Sequence, residues 1–115
     1  MAVSPTYRTF ILEQLGRCTP AIRARSMFGG VGIYGGERFF ALIDEDTLYF
    51  KVDDVTRPAF EARGMAPFQP MGPEHGSMGY YQVPEELLED VEALRPWVEA
   101  ALAVAGRKKP GKKKK

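Results

Sequence analysis

A chain of 115 residues with 44% apolar side chains can build one hydrophobic core but is too short for two ordinary domains. Its net charge of +1 averages unlike parts: residues 107–115 hold seven of the sixteen Lys and Arg, leaving nine against fifteen Asp and Glu over residues 1–106, a net −6. The single cysteine, Cys18, excludes an internal disulfide or a cysteine metal cluster, and no run reaches the ~20 apolar residues of a membrane span, so the expectation is a soluble, cytoplasmic protein with no membrane association.

Ser4-Pro5 is a helix-start signal, because the hydroxyl accepts from a free first-turn amide and proline there forfeits no useful donor. Tyr7, Phe10, Ile11 and Leu15 follow at helical spacing and Gly16 offers a stop, which predicts a helix over residues 5–15. The period then changes. Arg25 to Tyr34, Arg38 to Ile43 and Thr47 to Val52 read as three strands, with turns at Gly35-Gly36 and Asp44-Glu45-Asp46 joining them as an antiparallel meander. In the third strand Leu48, Phe50 and Val52 alternate with Thr47, Tyr49 and Lys51, which assigns the first three to the core.

Asp54 is placed to cap a short helix reaching Arg63, with Phe60 on its apolar side and Gly64 at its end. A short extended piece at Ala66 to Gln69, a loop at Pro73 to Ser77 and a strand at Met78 to Val83 come next, the strand ending at Pro84. Leu87, Leu88, Val91, Leu94, Val98, Ala101, Leu102 and Ala105 form the stripe of a final helix that Pro96 should kink or restart. Grouped helices and strands in the order α-β3-α-β2-α predict an α+β domain over residues 1–106 with an antiparallel sheet, followed by a basic, disordered tail.

Gly30-Val31-Gly32-Ile33-Tyr34-Gly35 spells G-x-G-x-x-G, but the dinucleotide mechanism needs those glycines to open a helix at the pyrophosphate, and here a strand-like run, Phe39 to Ile43, follows. Turns and a bulge are the simpler expectation. His75 is the only histidine, so Ser26, Ser77 or Cys18 would each depend on it as base, and no spacing favours such a pairing. The acidic run Asp44-Glu45-Asp46 and the pair Asp53-Asp54 lack the spacing of a calcium loop. No metal, cofactor or catalytic residue is expected. Tyr80 and Tyr81 should point to opposite sides of their strand, leaving one exposed near Tyr49, Lys51 or Arg25, a combination suited either to stacking on a ligand or to ordinary cross-strand packing. In the tail, Arg107, Lys108, Lys109, Lys112, Lys113, Lys114 and Lys115 offer DNA or RNA a salt-sensitive, sequence-blind contact; a solvated terminus is the other reading.

A family resemblance rests on ordered blocks. Arg25-Ser26-Met27-Phe28-Gly29-Gly30-Val31-Gly32-Ile33-Tyr34, Phe40-Ala41-Leu42-Ile43, Leu48-Tyr49-Phe50-Lys51-Val52-Asp53, Arg57-Pro58-Ala59-Phe60-Glu61-Ala62-Arg63-Gly64-Met65, Pro67-Phe68 and Met78-Gly79-Tyr80-Tyr81-Gln82-Val83-Pro84 resemble the N-terminal domain of the TfoX/Sxy competence regulators. The resemblance implies a fold similar to secretion chaperones and a role in transcription regulation with no catalytic residues to carry over. Regulators of that type carry a second, helical domain; the expectation here is a stand-alone N-terminal domain. The leading expectation is therefore a non-enzymatic regulatory or adaptor domain that binds a protein, with Arg25, Tyr49, Lys51, Arg57, Tyr80 and Tyr81 as candidate binding residues. The rival readings are a small-ligand site or unrecognised reaction around Arg25, Tyr49, Lys51 and Tyr81, and a homodimer formed through the sheet.

Overall fold

The Ser4 hydroxyl accepts from the Tyr7 amide (3.3 Å) and starts helix α1, Pro5–Cys18, as the sequence signal requires. The structure, a computed structural model, describes residues 4–27, 30–68 and 79–106. Helix α1 passes through Gly16 and ends only at Cys18, whose thiol is buried beside the Val91 carbonyl. Gly16 has open space around it and no positive φ, so nothing there forces a stop.

The stretch expected as one strand over residues 25–34 is two, β1 (Ile22–Met27) and β2 (Gly30–Gly35), paired antiparallel from Ile22↔Gly35 to Met27↔Gly30. A strand of ten residues would have been long for a domain of this size; folding it back gives both halves a ladder partner. Strands β3 (Arg38–Asp44) and β4 (Thr47–Lys51) continue the meander. Gly36, at φ 65°, turns the chain between β2 and β3, and Glu45 (φ 52°) and Asp46 (φ 56°) both take left-handed backbone between β3 and β4, as two-residue hairpins with right-handed strand twist demand. The Asp46 carboxylate also holds the Ser4 amide at 2.7 Å, tying this turn to the start of α1.

The second expected pair of strands is a single one, β5 (Tyr80–Gln82), which pairs with β4 through Tyr49↔Gln82, Phe50↔Tyr81 and Lys51↔Tyr80. The piece near Ala66 to Gln69 contributes only a bridge, Pro67↔Tyr81, because proline cannot donate to a ladder; Phe68 and Ala66 supply the hydrogen bonds to β5 on either side of it. The loop expected at Pro73 to Ser77, with His75, lies outside the described residues, as does the tail. The sheet order is β1-β2-β3-β4-β5, all antiparallel, and the domain is α+β.

Helix α2 spans Arg57–Ala62. Asp54 does not cap it: the N-cap position is Thr56, which makes no side-chain capping bond, Asp54 pairs with Arg57 at 2.8 Å, and the Asp53 carboxylate accepts from the amides of Val55 and Thr56, both at 3.0 Å, in the turn that leads into the helix. The C-terminal stripe divides at Glu89-Asp90 into α3 (Glu85–Leu88) and α4 (Val91–Gly106). Pro96 lies inside α4 and does not restart the helix. The restart is set by Asp90, whose carboxylate accepts from Ala93 (3.2 Å) and whose carbonyl accepts from Leu94 (2.9 Å).

One face of the sheet carries the core. Ile33, Ile43, Leu48 and Phe50 meet Ile11 and Leu15 of α1 and Leu94, Val98 and Ala101 of α4 in a single buried cluster. Val52 belongs to it as expected, just past the end of β4. The β2–β3 register shifts between Ile33 and Tyr34, whose partners are Ala41 and Phe39. Phe40 is the extra residue, so Phe40 and Ala41 both turn inward and Phe40 packs 5.8 Å from Phe50, ring centroid to ring centroid.

Candidate functional site

Side chains alternate across a sheet, so the residues between the core positions build the opposite face, on which no helix packs among the described residues. Arg23 and Tyr34 are direct register partners there, with the guanidinium 5.3 Å from the ring centroid. Tyr34 stacks on Phe39 at 5.1 Å, Phe39 meets Tyr80 at 5.9 Å, and the Lys51 ammonium lies 5.1 Å from the Tyr80 centroid. The result is a continuous stripe across all five strands, three aromatic rings held between two cations. The bulge at Phe40 makes it possible, because the extra inward residue between Phe39 and Ala41 sets Phe39 on this face opposite Tyr34. Beside the stripe, Tyr49 packs against Phe68 at 4.7 Å.

Tyr80 and Tyr81 do face opposite sides, but neither is exposed; each keeps only 7% of its surface. Burial pushes the Tyr80 phenol up to about 12, with Tyr34 adding to the shift. Tyr81 lies on the core side against Phe60 at 6.1 Å and donates its hydroxyl to the Glu61 carboxylate at 2.9 Å; burial and that bond raise its pKa. Phe60 in turn meets Trp97 edge-on at 4.8 Å.

Of the six residues picked out in the sequence, Lys51 and Tyr80 stand together, and Tyr49 shares their face. Arg25 is on this face too, but its row runs through Gly32 and Leu42 before reaching Tyr49, three strand spacings or ~14 Å away. Arg57 sits on α2, engaged by Asp54 at 2.8 Å and Glu61 at 3.7 Å, and the Asp54 bond raises its pKa. Arg25, Tyr49, Lys51 and Tyr81 therefore form no common pocket. Arg23, Tyr34, Phe39 and Phe68 belong to the site and were not picked out. Reading residues 25–34 as one strand hid the register that sets Arg23 against Tyr34.

The glycines of the G-x-G-x-x-G run lie inside β2, and no helix opens after them. A Cβ on Gly30 would run into the Ile43 carbonyl oxygen, and one on Gly35 would come 2.7 Å from a Leu102 methyl. Close packing of strand on strand and helix on strand explains Gly30 and Gly35 without a phosphate. Among the described residues, no group of three or more His, Cys, Asp or Glu could hold a metal ion, and no helix is long and apolar enough to cross a membrane.

These features define a class: an α+β domain whose helices cover one face of an antiparallel sheet and leave the other to a cation-flanked aromatic stripe. The model of the TfoX N-terminal domain matches residues 13–105, and the chain belongs to that family. Comparison with curated proteins gives no match.

Proposed function

We propose that this domain is a non-enzymatic regulatory or adaptor module of the TfoX type that recognises a protein partner through the sheet face on which no helix packs among the described residues. The observation that carries this reading is the stripe Arg23, Tyr34, Phe39, Tyr80, Lys51. Aromatic rings and arginine are the side chains that contribute most at interfaces, since they bury large areas at small entropy cost. The flanking cations add charge selection, favouring a partner surface that presents carboxylates. Family membership supports a role in transcription regulation, and the competence process and a cytoplasmic setting belong to the same proposal.

A second contact rests on the tail. Seven basic side chains among residues 107–115 suit DNA or RNA phosphates without reading sequence. The two contacts separate experimentally. Intact protein, a Tyr34→Ala/Phe39→Ala double variant and a form lacking residues 107–115 are used to capture partners from nuclease-treated extract. The reading expects the protein partner to be lost from the double variant and kept by the truncated form. A partner retained equally by all three defeats it.

A further inference from the structure

We propose that β1 is a docking edge to which an extended peptide with carboxylates at alternate positions adds as a sixth strand. This deepens the protein-binding reading and rests on it. The sheet has two ends, and only one is open among the described residues. Beyond β5 the backbone is already engaged, Phe68 donating to Tyr80 at 2.8 Å and Gln82 donating to Ala66 at 2.9 Å. Beyond β1 there is no strand.

The direction of the free groups follows from one hydrogen bond. The Gly36 amide donates to the Ala21 carbonyl at 3.0 Å, and Ala21 stands one step before the Ile22↔Gly35 pair. Antiparallel pairs alternate between bonded and non-bonded, and the β1–β2 register runs without a shift. Arg23 and Arg25 therefore turn their backbone groups toward β2, whereas Ile22, Ala24 and Ser26 turn theirs outward. The edge contains no proline and no bulge, two of the usual devices that block strand addition.

Its remaining guard is charge, and charge selects the occupant. Arg23 and Arg25 are exposed on the same side of the strand. A second copy pairing edge to edge would set arginines against arginines, and the basic residues 107–115 would be repelled in the same way. A strand with Glu or Asp opposite these positions gains two charge-assisted contacts. Arg23 is partly committed, donating to the Gly36 carbonyl at 3.0 Å and lying over Tyr34. Arg25 makes no hydrogen bond or ion pair among the described residues and is the main selector. On the other side of the strand, Ile22 and Ala24 pack at the margin of the core, so the alternate positions of the peptide should be apolar.

The test uses blocked synthetic peptides of alternating Glu and Val, with alternating Lys and Val as the control, titrated into the full chain and followed by anisotropy and amide hydrogen exchange. The Glu–Val peptide should bind and slow exchange at Ile22, Ala24 and Ser26. Ala24→Pro, which removes one outward donor, should weaken binding by about tenfold or more. Arg25→Glu, which leaves the backbone intact, should reverse the preference between the two peptides. The proposal is overturned by equal binding of both peptides, by no binding, by protection confined to the stripe face, or by a protein that sediments as a dimer disrupted by Ala24→Pro. The Tyr34→Ala/Phe39→Ala capture result is independent of all four, so the edge can fail while the protein-binding reading stands.

Discussion

The guanidinium of Arg23 caps the ring of Tyr34 across the β1–β2 ladder at 5.3 Å while also donating to the Gly36 carbonyl at 3.0 Å. One side chain thus ties the aromatic stripe to the turn after β2. Arg23→Ala should cost only about 0.5–1 kcal/mol of stability, because an exposed cation–π pair is weak. It should weaken partner capture much more if the stripe is the interface. Urea titration beside the capture assay separates the two effects.

Tyr7 and Tyr80 are both pushed up to about 12 by burial. An unfolded tyrosine ionises near its ordinary value of 10, so the folded state loses ground as pH rises from there through about 12 and is unaffected below. The thermal midpoint should therefore fall over that alkaline window as the ultraviolet signal of phenolate rises. Tyr80→Phe should shrink the fall; an unchanged alkaline profile in that variant would show that Tyr80 ionises freely.

Two glycines give opposite signs. Gly30 faces the Ile43 carbonyl with no room for a methyl group, so Gly30→Ala should destabilise by about 1–3 kcal/mol or more. Gly16 lies in α1 with open space around it, so Gly16→Ala should stabilise by roughly 0.5–1 kcal/mol. Chemical denaturation of the pair reads both.

Glu45 holds a left-handed conformation that costs a side chain energy, beside an Asp46 that tolerates it better. Glu45→Asn should raise stability by about 0.5 kcal/mol. Asp46→Ala should lower it, since the Ser4 amide loses its 2.7 Å partner. Thermal melts of the two variants check the sign of each.

Binding to duplex DNA, if the tail carries it, should weaken with salt at a slope of about −0.9 per phosphate neutralised. Removal of residues 107–115 should flatten that dependence. A slope unchanged by the truncation removes the tail from the argument.

The α+β class and the core residues Leu48, Phe50 and Val52 were legible because burial on one sheet face imposes a period of two. What stayed hidden was set at a distance. Nothing local distinguishes a ten-residue strand from a hairpin when glycines punctuate it, so the β1–β2 fold-back and the Arg23–Tyr34 pair were missed. The inward pair Phe40 and Ala41 breaks alternation through a bulge that shows only in the pairing with the neighbouring strand. Likewise, Asp53 and Asp54 are equally good caps on composition; only the path of the chain into α2 decides that neither caps it, Asp53 accepting the turn amides of Val55 and Thr56 and Asp54 meeting Arg57.

Strand order in the sheet repeats strand order in the chain, and this gives the domain a vulnerable interval during its own synthesis. The first four strands can pair with sequence neighbours as they emerge, and such local contacts form quickly. Ile11 and Leu15 of α1 emerge first, but the rest of the cover for their apolar side comes from Leu94, Val98 and Ala101, which are translated much later. Until then Phe40, Ile43, Leu48 and Phe50 are only partly covered, and a nascent chain halted before α4 would be a target for chaperones or for aggregation.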